Sequence, residues 1–289
     1  MKKRPFVGPE IFTIFLIISL AGCQNGKTPK DSKTPERVVS FTPAITETVF
    51  ALGADAKLVG VTRHCAYPPA AREKTSVGSL FEPNYEALLA LRPDCVLIPE
   101  GNDDVQKFCE KHQIRVVALP QRTVEDVFST LSILGTLFEQ ESKSAELTES
   151  LRKHLNSIRG TPPRRVLFVL SRNFESRDLE EVYIAGKDDL CAPLLKLAGG
   201  ENVYQGSSAY PKISPEAVLR WNPDVILESV PKSIRERYTD AQLRAAWSDF
   251  SQVTAVRQDA IYFLDDDPPL LPSPSMAEWT EKTARILHP

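Results

Sequence analysis

The chain has 289 residues, 42% hydrophobic and 25% charged, with 35 basic against 38 acidic side chains and a formal net charge of −3. Such a composition is that of a globular protein, and the length allows roughly two domains. An acidic balance gives no reason to expect nucleic-acid binding. The sequence holds no Gly-x-Ser-x-Gly, no His-Glu-x-x-His and no phosphate-binding loop. His64, His112, His154 and His288 are scattered, so no nucleophile–base pair or metal cluster assembles from the sequence.

Met1-Lys2-Lys3-Arg4 forms a basic start, and the apolar run from Ile11 to Leu20 is too short to span a bilayer. The run ends in Leu20-Ala21-Gly22-Cys23, which resembles the lipobox of bacterial lipoproteins. That resemblance implies a signal peptide over residues 1–22 and acylation of Cys23, with an ordinary secretory signal as the alternative. Residues 23–35 are polar and Pro-bearing and read as a flexible tether. Of the other cysteines, Cys95 on a strand and Cys109 on the next helix could pair in an oxidising compartment, or all could be buried thiols. Cys65 and Cys191 are equally open.

Residues 36–121 alternate apolar strands with helical stretches, as a mostly parallel α/β lobe does. Arg37 to Phe41 reads as a strand that stops at Thr42-Pro43, and a helix from Ala44 to Leu52 ends at Gly53. A second strand, 58–61, leads to His64, Cys65 and Tyr67. Further strands at 95–98 and 115–119 flank a helix around 105–112. Ligands of parallel sheets gather outside the carboxyl ends of the strands, which marks Thr42, His64, Cys65, Glu100, Gly101 and Pro120 as rim residues. Residues 123–159 contain no Pro and one Gly, and their apolar spacing predicts a single connecting helix of over thirty residues within a 122–160 linker. Residues 161–289 repeat the strand–helix alternation. Here Arg172, Asn173 and Phe174 follow a strand, Tyr210 precedes another, and 177–181 reads as a solvated charge run. Asp265, Asp266 and Asp267 form the one acidic cluster, but consecutive residues do not all point inward, so no cation site is expected there.

One stretch occurs twice. Glu86-Ala87-Leu88-Leu89-Ala90-Leu91-Arg92-Pro93-Asp94 matches Glu216-Ala217-Val218-Leu219-Arg220-Trp221-Asn222-Pro223-Asp224 in its Glu-Ala start, its Leu three residues after the Glu and its Pro-Asp end. Asn84 and Ser214 are good N-caps, and the prolines stop each helix before an apolar strand. A repeat this far apart indicates two similar lobes rather than a solenoid.

Val61-Thr62-Arg63-His64-Cys65-Ala66-Tyr67-Pro68-Pro69 resembles the second-strand loop of cobalamin-binding proteins of ABC importers. Arg37 to Pro43 with Glu47, Gly60-Val61-Thr62 and the Gly199-Gly200-Glu201-Asn202 turn are similar to the wider class III family that carries siderophores, haem and corrinoids. The resemblance covers nearly the whole chain after the tether. It implies two α/β lobes, each with a mostly parallel sheet flanked by helices, bridged by one long rigid α-helix and moving little against each other. It implies a non-enzymatic monomer with no cofactor of its own, held extracytoplasmically by its lipid anchor. Its ligand would be a corrinoid, or alternatively a ferric siderophore or haem, passed to a permease dimer with ATPase subunits. Glu86 and Glu216 then fall where the family docks arginines of that permease. An acid in a helix's first turn also complements the macrodipole, but this does not account for both belonging to one repeat. Flat walls for a macrocycle would come from Pro43, Tyr67, Phe81, Phe174 and Tyr210, and polar contacts from Thr42, His64, Cys65, Glu100, Gly101, Arg172 and Asn173. His64 could approach a metal centre or be simply hydrogen-bonded. A surface hydrolase on the same scaffold is the reading from another class.

Overall fold

A computed structural model describes residues 33–158, 162–176, 179, 181–187, 190–265 and 270–289, and residues 34–289 form one compact unit. The leader with Cys23, Arg177, Asp178 and Glu180 of the charge run, and Asp266 and Asp267 lie outside the described residues.

The apolar segments of the first half become five strands in one sheet. Strand β1 (Val38–Ser40) is followed by α1 (Pro43–Ala51), β2 (Leu58–Val61), β3 (Thr75–Ser76), α2 (Tyr85–Ala90), β4 (Cys95–Pro99), α3 (Asp103–Lys111) and β5 (Arg115–Leu119). Their order is β3-β2-β1-β4-β5, and every pairing is parallel. Thr42 caps α1 by accepting from the Ile45 N–H, and Pro43 takes the first helical position.

After β5 the chain enters α4 (Val124–Leu137) and α5 (Glu141–Ser157). The single helix expected through 123–159 is therefore two. The break falls at Phe138–Gln140, where Glu139 takes φ 58° and the Gln140 N–H bonds back to the Gly135 carbonyl at 2.7 Å. The second helix doubles back on the first. Ser144 Oγ donates to the Leu131 carbonyl at 2.8 Å, and Arg152 meets Glu125 at 2.6 Å. A Cβ on Gly135 would lie 2.6 Å from that of Ser144, so this glycine sets how closely the helices approach. The last span into the second lobe is thus α5 alone, roughly 25 Å long at 1.5 Å per residue.

The second sheet is built from β6 (Arg164–Ser171), β7 (Val182–Ile184), β8 (Gly200–Asn202), β9 (Lys212–Ile213), β10 (Val225–Val230) and β11 (Ile261–Asp265). Among these strands run α6 (Cys191–Leu197), α7 (Pro215–Trp221), α8 (Lys232–Arg235), α9 (Asp240–Ala245) and α10 (Thr254–Arg257), and α11 (Met276–Leu287) closes the chain. The order is β11-β10-β6-β7-β9, with β8 also pairing to β6. Strands β6, β8, β10 and β11 are parallel, while β7 and β9 add antiparallel pairings.

Alternation along the strands divides each lobe into two apolar layers. Val39, Phe41, Val96 and Ile98 pack outward beneath α2 and α3. Val38, Cys95 and Leu97 face the opposite way and join Leu131, Leu134, Val166, Phe168 and Trp279 in one core that runs through both lobes. Leu167, Val169 and Ile226 form the outer layer of the second lobe with Val218 and Trp247. This alternation also answers the cysteine question. Cys95 belongs to the shared core and Cys109 to the outer layer, on opposite faces of the same sheet. All four described cysteines are buried free thiols, and burial pushes Cys95 up to about 12 and Cys109 up to about 11.

Candidate functional site

The carboxyl ends of strands from both lobes meet across a cleft. One pocket of about 540 Å³ is lined by Pro43, His64, Tyr67 and Arg72 from the first lobe and by Lys232, Arg235, Asp265 and Leu271 from the second. A neighbouring pocket of about 660 Å³ shares Asp265 and Leu271 with it and adds Gln121, Arg122, Lys187, Tyr210, Pro272 and Trp279. Both volumes suit a sizeable small-molecule ligand. A larger groove of about 1050 Å³ lies between α4 and α5, lined by Phe128, Ile133, Ala145 and Arg152, away from the strand ends that gather function in such sheets.

The described walls carry His64, Arg72, Arg122, Lys187, Lys232 and Arg235 against Asp265. Arg235 pairs with Asp240, and Asp265 with Lys282. Arg72 Nε donates to the Ala66 carbonyl at 3.1 Å, which holds the loop after β2. Thr42 sits just behind the wall. Its hydroxyl accepts from Ile45 N and donates to Gln121 Oε1 at 2.8 Å, which turns the Gln121 amide so that its buried Nε2 has no partner among the described residues.

Of the expected ligand residues, Pro43, His64, Tyr67 and Tyr210 line the cleft, and Thr42 supports it through Gln121. The others are placed elsewhere. Cys65 is turned into the core, 3.2 Å from the hydroxyls of both Thr46 and Thr62, because β2 buries one side of the turn that follows it. Phe81 is 92% exposed on the turn before α2 and touches neither pocket. Glu100 and Gly101 lie in an exposed turn after β4, outside both linings. Asn173 caps a local turn by accepting from the Glu175 N–H at 2.9 Å.

Arg172 is the largest departure. Its Nε donates to Glu228 Oε1 at 2.5 Å with both side chains almost fully buried, its Nη2 reaches the Leu243 carbonyl at 3.3 Å, and its guanidinium lies 4.5 Å from the Phe174 ring centre. Trp247 Nε1 donates to the second Glu228 oxygen at 3.0 Å. Burial still pushes the Glu228 carboxyl above its usual range, partly offset by Arg172 and Trp247. These groups brace the outer layer of the second lobe and are not presented to the cleft.

Among the wall residues that sequence reasoning missed are Arg72, Gln121, Arg122, Lys187, Lys232, Arg235 and Trp279, whereas Asp265 lies on the last rim loop, as its place at the end of the final strand implies. Gln121 and Lys232 stand just beyond the ends of β5 and β10, where the strand-end rule applied to every strand would have found them. No local signal marks Arg72 or Lys187.

Glu86 and Glu216 are both exposed and lie outside the cleft, each in the first turn of its helix, α2 and α7. A hydrogen bond from the Ser214 hydroxyl holds the Glu216 carboxyl below its usual range, so it is ionised at neutral pH.

Two α/β lobes around a continuous core, with strand ends facing a cleft, define a binding protein of the periplasmic type. A family model described as Periplasmic binding protein matches residues 38–268, and the chain belongs to that family. It is 25% identical to an uncharacterized ABC transporter substrate-binding lipoprotein of Bacillus subtilis, YvrC, over 100% of this chain and 98% of that protein. It is 27% identical to a vitamin B12-binding protein of Yersinia pestis over 208 residues, 70% of this chain and 72% of that one. The crystal structure of a periplasmic heme binding protein from Pseudomonas aeruginosa superimposes with a TM-score of 0.75 at 25% identity, covering 88% of this chain and 93% of that one.

Proposed function

We propose that this protein is the extracytoplasmic substrate-binding component of an ABC importer, which captures a corrinoid between its lobes and delivers it to a permease dimer with ATPase subunits. The observation that carries the reading is the two-part cleft walled by strand ends of both lobes, with Tyr67, Tyr210 and Trp279 as flat apolar surfaces. The corrinoid is favoured by the loop from Val61 to Pro69 and by the vitamin B12-binding relative. Haem is the second reading, because Arg72 and Lys232 suit carboxylates and the heme-binding structure shares the fold over most of both chains. Acylation of Cys23 would anchor the chain, in keeping with the lipoprotein relative. The hydrolase reading has no support from the family match or the cleft. Capture and hand-over need no bond chemistry.

Calorimetric titration of the chain from Thr34 onward with cyanocobalamin, cobinamide, haem and ferric siderophores tests the ligand. One-to-one corrinoid binding is expected. Binding of an iron chelate instead keeps the carrier and replaces its cargo, and silence with all of them removes the carrier reading.

Glu86 and Glu216 serve in docking. The double variant Glu86→Ala, Glu216→Ala should leave ligand affinity within about twofold and reduce stimulated transport to background, since rim charges act on association with the partner rather than on the cleft. Weakened ligand binding in that variant would place the two acids in the site and end the docking assignment.

A further inference from the structure

The two copies of the nine-residue repeat are alike in three dimensions as well as in sequence, and most of their shared residues have an internal task. Pro93 and Pro223 are buried. Asp94 accepts from the Glu36 and Arg37 N–H groups, and Asp224 accepts from the Arg165 N–H. The Arg37 side chain takes the carbonyls of Leu91 and Arg92 at the end of α2, and Arg165 takes those of Trp221 and Asn222 at the end of α7. Arg92 and Asn222, each before its proline, both adopt left-handed backbone, with φ 46° and 43°. Strand β4 pairs with β1 through Cys95 and Val38, and β10 pairs with β6 through Val225 and Val166. Leu88 and Val218 supply each helix's buried anchor in its lobe's outer layer.

Two repeated positions face solvent in both copies, Glu216 bonding to Ser214 beside it. Glu86 and Glu216 are exposed, and so are Leu89 and Leu219, at 39% and 36%. Three positions apart on a helix, each leucine lies beside its acid. Large exposed apolar side chains are few among the described residues, and two of them fall at the same place in the repeat. Each keeps more than a third of its surface open to solvent.

Resting on the importer reading, we infer that Leu89 and Leu219 are the apolar halves of two matched docking points for the permease. Each presents an acid with an adjoining leucine to a partner of two-fold symmetry. Each permease subunit then offers a cation beside an apolar cup, so charge steers the encounter and the buried leucine holds it. The duplication itself selects this occupant, because a pair of like sites on one chain is matched by a pair of like sites on a symmetric dimer.

The test uses the full chain in membranes of its own host, with a photo-crosslinking amino acid placed singly at Ala90 or Arg220, the exposed residues next to each leucine. Both positions should crosslink one and the same integral-membrane polypeptide. Adding Leu89→Asn with Leu219→Asn should lower that yield at least about tenfold, with the melting temperature and ligand affinity unchanged. An unchanged yield overturns the inference and leaves the importer reading in place. A yield lost together with the melting temperature makes the leucines structural and also overturns it. Absence of any membrane crosslink before the leucines are changed removes the importer reading, and the inference with it.

Discussion

Arg172→Ala should lower the stability of this protein by about 3–5 kcal/mol, which is a loss on the order of 10 °C in melting temperature, while the folded fraction keeps its ligand affinity. The cost arises from what the substitution leaves behind. Glu228 is fully buried, and only Arg172 and Trp247 donate to its side chain among the described contacts. Without the guanidinium, the carboxylate stands in low dielectric with one neutral donor, and the Leu243 carbonyl also loses a partner. Burial already outweighs both partners and raises the carboxyl's pKa. Removing the cation raises it further, so the variant should regain stability as pH falls from 7 toward 5. The sign follows from linkage: a folded state that holds a proton more tightly than the unfolded chain gains as protons become available. Replacing both members, Arg172→Met with Glu228→Met, should recover most of the loss, since a buried ion pair is weak evidence of net stabilisation even where breaking it is costly. Thermal melts of the two variants across pH check this, with the ligand titration alongside. If Arg172→Ala weakened binding at unchanged melting temperature, the residue would return to the cleft.

Arg172 also shows why the fold was more legible than the site. Alternation of short apolar strands with helices, the stops at Pro93 and Pro223, and the caps at Thr42 and Asn84 are local signals, and the structure places elements where they point. A strand-end position was equally legible for Arg172, but the way a side chain turns there depends on partners distant in sequence. Glu228 and Leu243 draw Arg172 inward, much as Thr46 and Thr62 draw Cys65. The connector failed for a related reason. Helical spacing runs through 124–157 on both sides of the break, and periodicity is blind to a chain reversal that preserves it. Gly135 was the available sign, and the structure shows it to be the contact point of the two helices. The repeat carried more than its sequence match disclosed, because only the hydrogen bonds separate its structural members from Glu86, Leu89 and their counterparts.

Glu47→Ala should cost about 3 kcal/mol, whereas Glu47→Gln should stay within about 1 kcal/mol of the parent at pH 7. Glu47 lies on α1, buried, and its carboxylate accepts from Ser273 Oγ at 2.8 Å, Ser275 N at 2.7 Å and Ser275 Oγ at 3.0 Å. These bonds join the helix that begins at Pro43 to the segment following Leu271 and Pro272, so they tie two walls of the cleft across the lobes. Alanine leaves the Ser275 N–H and two hydroxyls without this acceptor, while glutamine keeps an oxygen for the N–H and an amide donor for a hydroxyl. Burial is the largest influence on Glu47 and, with Glu278 nearby, pushes its carboxyl above the usual range despite the three hydrogen bonds. The group's contribution is therefore most favourable below the unfolded carboxyl value and declines as pH rises through the raised folded value. Glu47→Gln lacks that decline, so its stability relative to the parent should improve from acid to neutral pH. Chemical denaturation of the three proteins at several pH values measures both effects. Because the latch sits behind the ligand walls, Glu47→Ala should also speed ligand release, while Glu47→Gln, with the bonds kept, should not. Equal release from the two variants would confine Glu47 to holding the lobes together and exclude it from setting the width of the cleft.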